Sequence, residues 1–339
     1  MKIKDWIALV ALVLSLYILW RIRQVLLLTF FAVIIATVLN QLVYRLERVT
    51  HRRSLAVLIT VASFLIVLSI LIGGIGPPFV NQLQSLIQLI PFIIERIQSG
   101  FSALESTIPE ALTQNLQDLN GLLQQLQSFD IPMLFDRAYT VFSNTLSIIL
   151  NLLLIIVVSI MLLANPDPYQ KTFTLLFPSS FRGQAYDILE ECETAIVGWF
   201  LGIVFNMSII AILSGIGLLV LGVNLALANA LLAGLLAFIP NVGPVLSVIP
   251  PVAIALLDAP WKAIAVVILY IVVQQVESNI LTPLVMKKQV SLLPALTLLS
   301  QISFSIFFGF LGLILALPLA IVGKIWIEEL WVKRYLDQR

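Results

Sequence analysis

Apolar residues run along this chain in blocks long enough to cross a bilayer, and polar residues mark where the blocks end. Residues 5–20 and 24–43 are apolar and are separated by Arg21-Ile22-Arg23. The first block is short for a span of about 20 residues and the second fits one, which predicts a helical hairpin, or else one long tilted helix. Residues 54–76 form a third block that ends in GGIGPP, and residues 143–164 a fourth, followed by a turn at NPDPYQK. Over 178–193 a surface helix is expected: Phe181, Ala185, Ile188, Leu189 and Cys192 share one face, and Asp187, Glu190, Glu191 and Glu193 lie elsewhere. Residues 198–222 make a fifth span. Gly198 and Gly202 there have the small-xxx-small spacing of close helix contacts, and Asn206 is expected to bond a neighbouring helix.

Beyond residue 223 the blocks change character. Residues 225–239 and 245–257 are each short, as in two half-helices of a re-entrant hairpin or two thin spans. Residues 261–281 fit a full span. Residues 292–327 are too long for one and contain Gly309, Gly312 and Pro318. The pattern predicts an all-α, polytopic membrane protein with about eight crossings. Three regions are expected: residues 1–76 with three transmembrane helices, 77–142 as an extracytoplasmic helical hairpin, and 143–339 as the transmembrane core.

The hairpin expectation rests on two heptad-like seams. Leu83, Ile87, Ile90, Ile94, Ile97, Phe101 and Leu104 alternate steps of four and three, as do Leu112, Leu116, Leu119, Leu123 and Leu126, with ESTIPE as the turn between them. Such seams either lie on the protein's own membrane domain or pack between subunits of a homo-oligomer. For the second case Leu83, Ile87, Ile90, Ile94 and Ile97 are the interface candidates, although Pro91 opposes a long uninterrupted coiled coil.

Composition agrees with a membrane class: 60% of residues are hydrophobic and 11% charged, mean hydropathy is +1.07, and a soluble domain carries roughly a quarter charged residues. The net charge of +1, with no long basic run, gives no support to nucleic-acid binding. Residues 44–53 (YRLERVTHRR) are the densest basic segment and place that loop in the cytoplasm. Its His51 is the single histidine, a loop residue before it is a pH sensor. Cys192 is the single cysteine, so no intrachain disulfide forms, and no zinc-ligand spacing is present. The N-terminal block lacks a small-residue cleavage pattern, as in a retained anchor. Lys324, Lys333, Arg334 and Arg339 suggest a cytoplasmic C-terminus. No GxxxxGKS/T loop, nucleophile elbow or HExxH helix is found, so neither an ATP-driven motor, an enzyme nor a cofactor is expected.

The chemistry concentrates in residues 231–283. Pro240, Pro244, Pro250, Pro251 and Pro260 each remove a backbone donor there. At membrane depth, broken backbone is tolerated inside protein or beside a water-filled cavity. Asn241 and Gly243 fall in the Pro240–Pro244 break, followed by Asp258 and the polar cluster Gln274, Gln275, Glu277, Ser278 and Asn279. Glu277 follows the apolar run 263–273 and shares a helix face with Gln274. A carboxyl group there can exchange a proton or a sodium ion during transport; alternatively it pairs with Lys287 or Lys288 across the Pro283 turn. Asp258, before Ala259-Pro260, reads first as a cap or loop residue at a helix end. The ion- or substrate-binding candidates are thus Glu277, Gln274, Asn279, Asn241 and Asp258.

Three segments, IPNVGPVLSVIPP, VESNILTPLVMKKQVSLLP and FGFLGLILALPLA, resemble the signature blocks of the autoinducer-2 exporter (AI-2E) family. The similarity runs from LNQLVYRLER in the second apolar block to the C-terminus. It implies a multi-pass transporter of a bacterial-type inner (plasma) membrane, from a family described as signal exporters or sodium/proton antiporters that assemble as oligomers. The family motifs map onto Pro240, Asn241, Gly243 and Pro244; onto Glu277, Asn279 and Pro283; and onto Gly309, Gly312 and Pro318 as broken-helix or gating positions. Lys287, Leu293 and Ser300-Gln301 depart from the family pattern, which bears on substrate more than fold. The leading expectation is a proton- or sodium-coupled secondary transporter moving a small polar solute or exchanging cations. The alternatives are a passive oligomeric pore and a non-transporting scaffold in the lipid bilayer.

Overall fold

A computed structural model describes residues 3–70, 72–74, 77, 92, 145–240, 242–281, 283 and 293–331. The seams at 83–126, with Leu83, Ile87, Ile90, Ile94 and Ile97, lie outside the described residues, as do Asn241, Lys287 and Lys288. Every regular element among the described residues is helical: α1 (Ile3–Thr50), α2 (Arg53–Gly74), α3 (Thr145–Ala164), α4 (Pro166–Thr174), a 3₁₀ turn (Ser179–Phe181), α5 (Arg182–Val220), α6 (Ala226–Leu236), α7 (Val242–Asp258), α8 (Pro260–Val276), a π-helical turn (Glu277–Leu281) and α9 (Pro294–Ile327). Five of these are long and apolar enough to cross a membrane, or six if the bent pair α3–α4 is counted as one span. This is a multi-pass α-helical membrane protein.

Several boundaries differ from the sequence-based expectation. The N-terminal hairpin is absent: α1 is one helix of 48 residues, because its sequence contains neither Gly nor Pro to break it. The expected surface helix 178–193 and span 198–222 are likewise one helix, α5, of 39 residues. NPDPYQK is not a plain turn: Asn165 alone makes the corner and Pro166 opens α4, bent 92° from α3. Proline suits that first position, where the missing N–H has no helical partner. Pro250 and Pro251 do not interrupt the chain either, since both lie inside α7.

The chain divides into two compact units. The first comprises Met1–Leu65, Leu146–Gly202 and Val285–Arg339. Its centre packs Ile35, Ala36, Leu39 and Val43 of α1 against Ala56 and Val57 of α2 and Leu163 of α3. Ser159 donates to the Ala32 carbonyl at 3.0 Å, tying α3 to α1. Phe173 and Phe177 pack on Trp326 of α9, with ring centroids 6.2 and 5.5 Å away. His51 takes a left-handed conformation (φ 55°) at the corner between α1 and α2.

Arg53 is the polar hub of this unit. Its guanidinium donates to Asn40 Oδ1 (3.1 Å) and to the carbonyls of Leu163 (3.0 Å) and Ala164 (3.2 Å). Those carbonyls end α3 and have no intrahelical partner. Asn40, Tyr44, Asp167, Tyr186, Glu190 and Glu193 border a polar cavity of about 210 Å³ beside it.

The second unit comprises Ile66–Thr145 and Ile203–Leu284. Its core joins Ile210 and Leu218 of α5, Ala226 and Ala233 of α6, Ile254 and Ala255 of α7, and Val266, Tyr270 and Val273 of α8. Glycines set the helix spacing: a Cβ at Gly217 would collide with Leu269, and one at Gly215 would lie 3.1 Å from Ala230 Cβ. The C-terminus of α5 closes as a Schellman motif. Val223 N–H bonds the Leu218 carbonyl (3.0 Å) and Gly222 N–H the Leu219 carbonyl (3.1 Å), with Gly222 at φ 60°. Long α9 is broken at Gly309 (φ 66°, ψ −145°), a conformation that glycine alone adopts cheaply.

Arg53→Ala is expected to lower stability by about 2–3 kcal/mol, the loss of charged donors to carbonyls left without partners. Thermal unfolding in detergent checks this. Arg53→Lys should recover less than half of the loss, because an ammonium does not reproduce the planar fork.

Candidate functional site

Glu277 ends the straight part of α8 and begins the π-helical turn Glu277–Leu281. A π turn widens the helix by one residue and is frequent at functional positions. The Glu277 residue is 9% exposed, and Oε1 accepts a hydrogen bond from Asn206 Nδ2 at 2.9 Å. Asn206 lies on α5, so the bond crosses between two membrane helices. Gln274, one turn earlier on the same face, is in reach of the same carboxylate. No basic side chain among the described residues pairs with Glu277; the ion pairs there join Arg53–Glu47, Lys262–Asp258 and Lys324–Glu328. Lys287 and Lys288, the alternative partners, are not among those residues.

The rest of the polar cluster points elsewhere. Gln275, Ser278 and Asn279 are exposed, and Asn279 Nδ2 bonds Gln275 Oε1 at 2.8 Å along the helix. Gln274 Nε2 also reaches Ser278 Oγ at 3.4 Å. These i,i+4 bonds satisfy polar groups on one helix surface. Asn279 therefore does not join Glu277 in the interior.

Asp258 is not a cap. It is the last residue of α7 and pairs with Lys262, 3.2 Å away, while Ala259 caps α8 without a side-chain bond. Lys262 also donates to the Gly222 carbonyl at 3.4 Å. Fifteen residues of helix separate Lys262 from Glu277, roughly 22 Å, so Asp258 is not part of the Glu277 site.

The Pro240 break is real. α6 ends at Leu236 and α7 begins at Val242, with Ile239 N–H bonded to the Leu236 carbonyl at 2.9 Å and Gly243 N–H to the Ile239 carbonyl at 2.9 Å. Gly243 is required by space: a Cβ there would overlap the Leu236 carbonyl. Pro244 sits in the first turn of α7, where it removes no helical bond. α6 has 11 residues and α7 has 17, about 16 and 25 Å long against a hydrocarbon core of about 30 Å. Two short helices joined by a tight break are what both expectations, two half-helices or two thin spans, share. In the first unit, Gly312 approaches the Phe304 carbonyl where a Cβ would not fit, and Pro318 is fully buried in α9.

Among the described residues no group of three His, Cys, Asp or Glu is placed to hold a metal ion. The chemistry available at Glu277 is exchange of a proton, or of a cation held by oxygen ligands. Sequence reading put Asn206 in the interior but did not join it to Glu277. It passed over Tyr270, whose spacing from Glu277 (i, i+7) already put both on one face.

Comparisons with known proteins agree with a transport role. The family model described as "AI-2E family transporter" matches residues 7–331. A Bacillus subtilis (strain 168) protein named "Putative transport protein YueF" is 27% identical over 305 residues, 87% of this chain and 82% of the relative. "Putative transport protein YhhT" of Escherichia coli (strain K12) is 29% identical over 309 residues, 91% and 84% of the two chains. "AI-2 transport protein TqsA" of the same organism is 29% identical over 307 residues, 88% and 84%.

Gly243→Ala is expected to abolish the tight α6–α7 break and to be recovered from membranes as aggregate in fluorescence-detected size exclusion. Asn206→Leu strips the donor from a buried carboxylate and should cost about 1.5–3 kcal/mol, read as a lower midpoint of thermal unfolding. Asn206→Gln should cost less.

Proposed function

The chain belongs to the AI-2E transporter family, and from that premise we propose that it is a secondary transporter whose coupling group is Glu277. The observation that carries this reading is the buried Glu277 carboxylate, held by Asn206 across the α5–α8 contact with no basic partner among the described residues. Burying a charge without compensation is costly, so such a group suits a site that alternately takes a proton and a cation. The π turn beside it and the short α6–α7 pair supply irregular backbone of the kind that transporters use at ion and substrate sites.

Exchange of a monovalent cation for a proton is the simplest function of one such carboxyl. A small polar solute as cargo is the second reading, favoured by the relative named for AI-2 transport. The same proposal places the chain in a bacterial-type inner membrane, as a homo-oligomer held by the 83–97 seam.

The test is a pH-jump assay on purified protein in liposomes, with sodium, lithium and potassium added in turn. Cation-dependent proton release that vanishes in Glu277→Gln, with the variant still monodisperse, is the expected result. Wild-type release surviving in Glu277→Gln would overturn the site. No response to any cation, together with efflux of a labelled polar metabolite, would favour the second reading.

A further inference from the structure

Asn206 uses one half of its amide. Nδ2 donates to Glu277 Oε1 at 2.9 Å, while Oδ1 is sealed from solvent with no hydrogen-bond partner among the described residues. An unmade buried hydrogen bond costs about 1–3 kcal/mol, and each one in a native interior calls for a reason, such as an ion. Holding a carboxylate is not reason enough for an amide. A lysine would donate to Glu277 without stranding an acceptor, but it would also keep the carboxylate charged and closed.

An amide offers what a lysine cannot. An ionised carboxylate only accepts hydrogen bonds, whereas a protonated one also donates. The last torsion of asparagine is broad and roughly two-fold, so a half-turn exchanges Nδ2 and Oδ1. Turned over, Oδ1 stands where the nitrogen was, close enough to Glu277 for one small cation to touch both oxygens. Gln274, one turn before Glu277, brings a second amide to the same carboxylate. It also reaches the exposed Ser278 at 3.4 Å, which links the buried carboxyl to the protein surface. The backbone that carries Asn206 is held on both sides. On α6, a Cβ at Gly234 would come within 2.7 Å of the Met207 carbonyl oxygen, and on α8 Leu269 fills the space beside Gly217. The amide can therefore turn while the helices stay in place.

We propose that Asn206 is a direct ligand, together with Glu277 and Gln274, of a sodium or lithium ion, and that its amide turns over as proton and cation exchange. This rests on the reading that Glu277 exchanges a proton for a cation. With Glu277 protonated, its O–H donates to Asn206 Oδ1. The O–H bond then breaks, the proton leaves to water, and the cation binds a Glu277 oxygen, Asn206 Oδ1 and the Gln274 side-chain oxygen. One positive charge leaves as one enters, so the buried site keeps its net charge. In the structure, Nδ2 facing Oε1 holds the bare carboxylate between those two events. The fixed spacing of α5 and α8 favours the smaller alkali ions over potassium, since selectivity follows site size and rigidity.

The test reads cation binding by the purified protein in detergent, as the rise of the thermal midpoint with sodium, lithium or potassium chloride at constant ionic strength. Wild type should be stabilised by sodium and lithium more than by potassium, and Glu277→Gln by none of them. Asn206→Ala should need about tenfold more sodium for half of its own stabilisation. A structural role lowers the starting midpoint alone. If half-saturation in Asn206→Ala stays within about twofold of wild type, Asn206 is no ligand and the proposal falls, while the Glu277 reading stands. Should Asn206→Ala fail to fold, the near-isosteric Asn206→Asp decides. A charged oxygen in the ligand shell should change the lithium-to-sodium ratio of half-saturating concentrations by about threefold or more; a ratio equal to that of wild type overturns the proposal. An equal response of wild type to all three cations also overturns it. No cation response in wild type refutes the exchange reading, and this proposal with it.

Discussion

In hydrocarbon, a peptide group without a partner costs several kcal/mol, and this requirement governs where the chain is allowed to stop being a helix. The C-terminus of α5 ends in a Schellman motif at Gly222 that returns two carbonyls to backbone donors. The α6–α7 break folds back on itself through Ile239 and Gly243, so its freed groups bond within five residues. The corner after α3 is satisfied from outside, by the guanidinium of Arg53 on the Leu163 and Ala164 carbonyls. Each interruption carries its own hydrogen-bond solution, and each solution depends on one residue type.

Side chains obey the same rule with more latitude. On the exposed surface at the end of α8 and in the π turn, Gln275 and Asn279 satisfy each other by an i,i+4 bond. Glu277, buried on a different face from these and one turn beyond Gln274, draws a donor from Asn206 of α5 as well. Further along the same contact, buried Ser214 of α5 lies beside the Tyr270 hydroxyl of α8. Small residues at Gly215 and Gly217 bring α5 close against α6 and α8 at this level.

Much of this was legible residue by residue. The apolar blocks 143–164, 54–76 and 261–281 correspond to α3, α2 and α8 with its π turn, because hydropathy over about 20 residues is a local property. The break at Pro240–Pro244 and the one at Gly309 were readable from Pro and Gly chemistry. The same chemistry misled at Pro250 and Pro251. Their missing donors remove two hydrogen bonds from α7, but burial of Pro251, Ile254 and Ala255 against neighbouring helices holds the helix together. The arginine pair at 21 and 23 misled too. Long side chains can lie along an apolar helix, as Arg23 does over Trp20 at 4.0 Å, so a charged pair need not end one.

Class, helical content and the interior position of Glu277 and Asn206 follow from local order, since hydrophobic period and Pro/Gly placement act over a few turns. Partnership does not. Periodicity says which face of a helix is buried, but not which face of which other helix covers it, or in what register. That choice was made by shape, through glycines that let α5 approach α6 and α8 at one offset. It brought Asn206 to Glu277, set Tyr270 before Ser214, and left Asp258 to Lys262, roughly 22 Å from the carboxylate it had seemed to accompany.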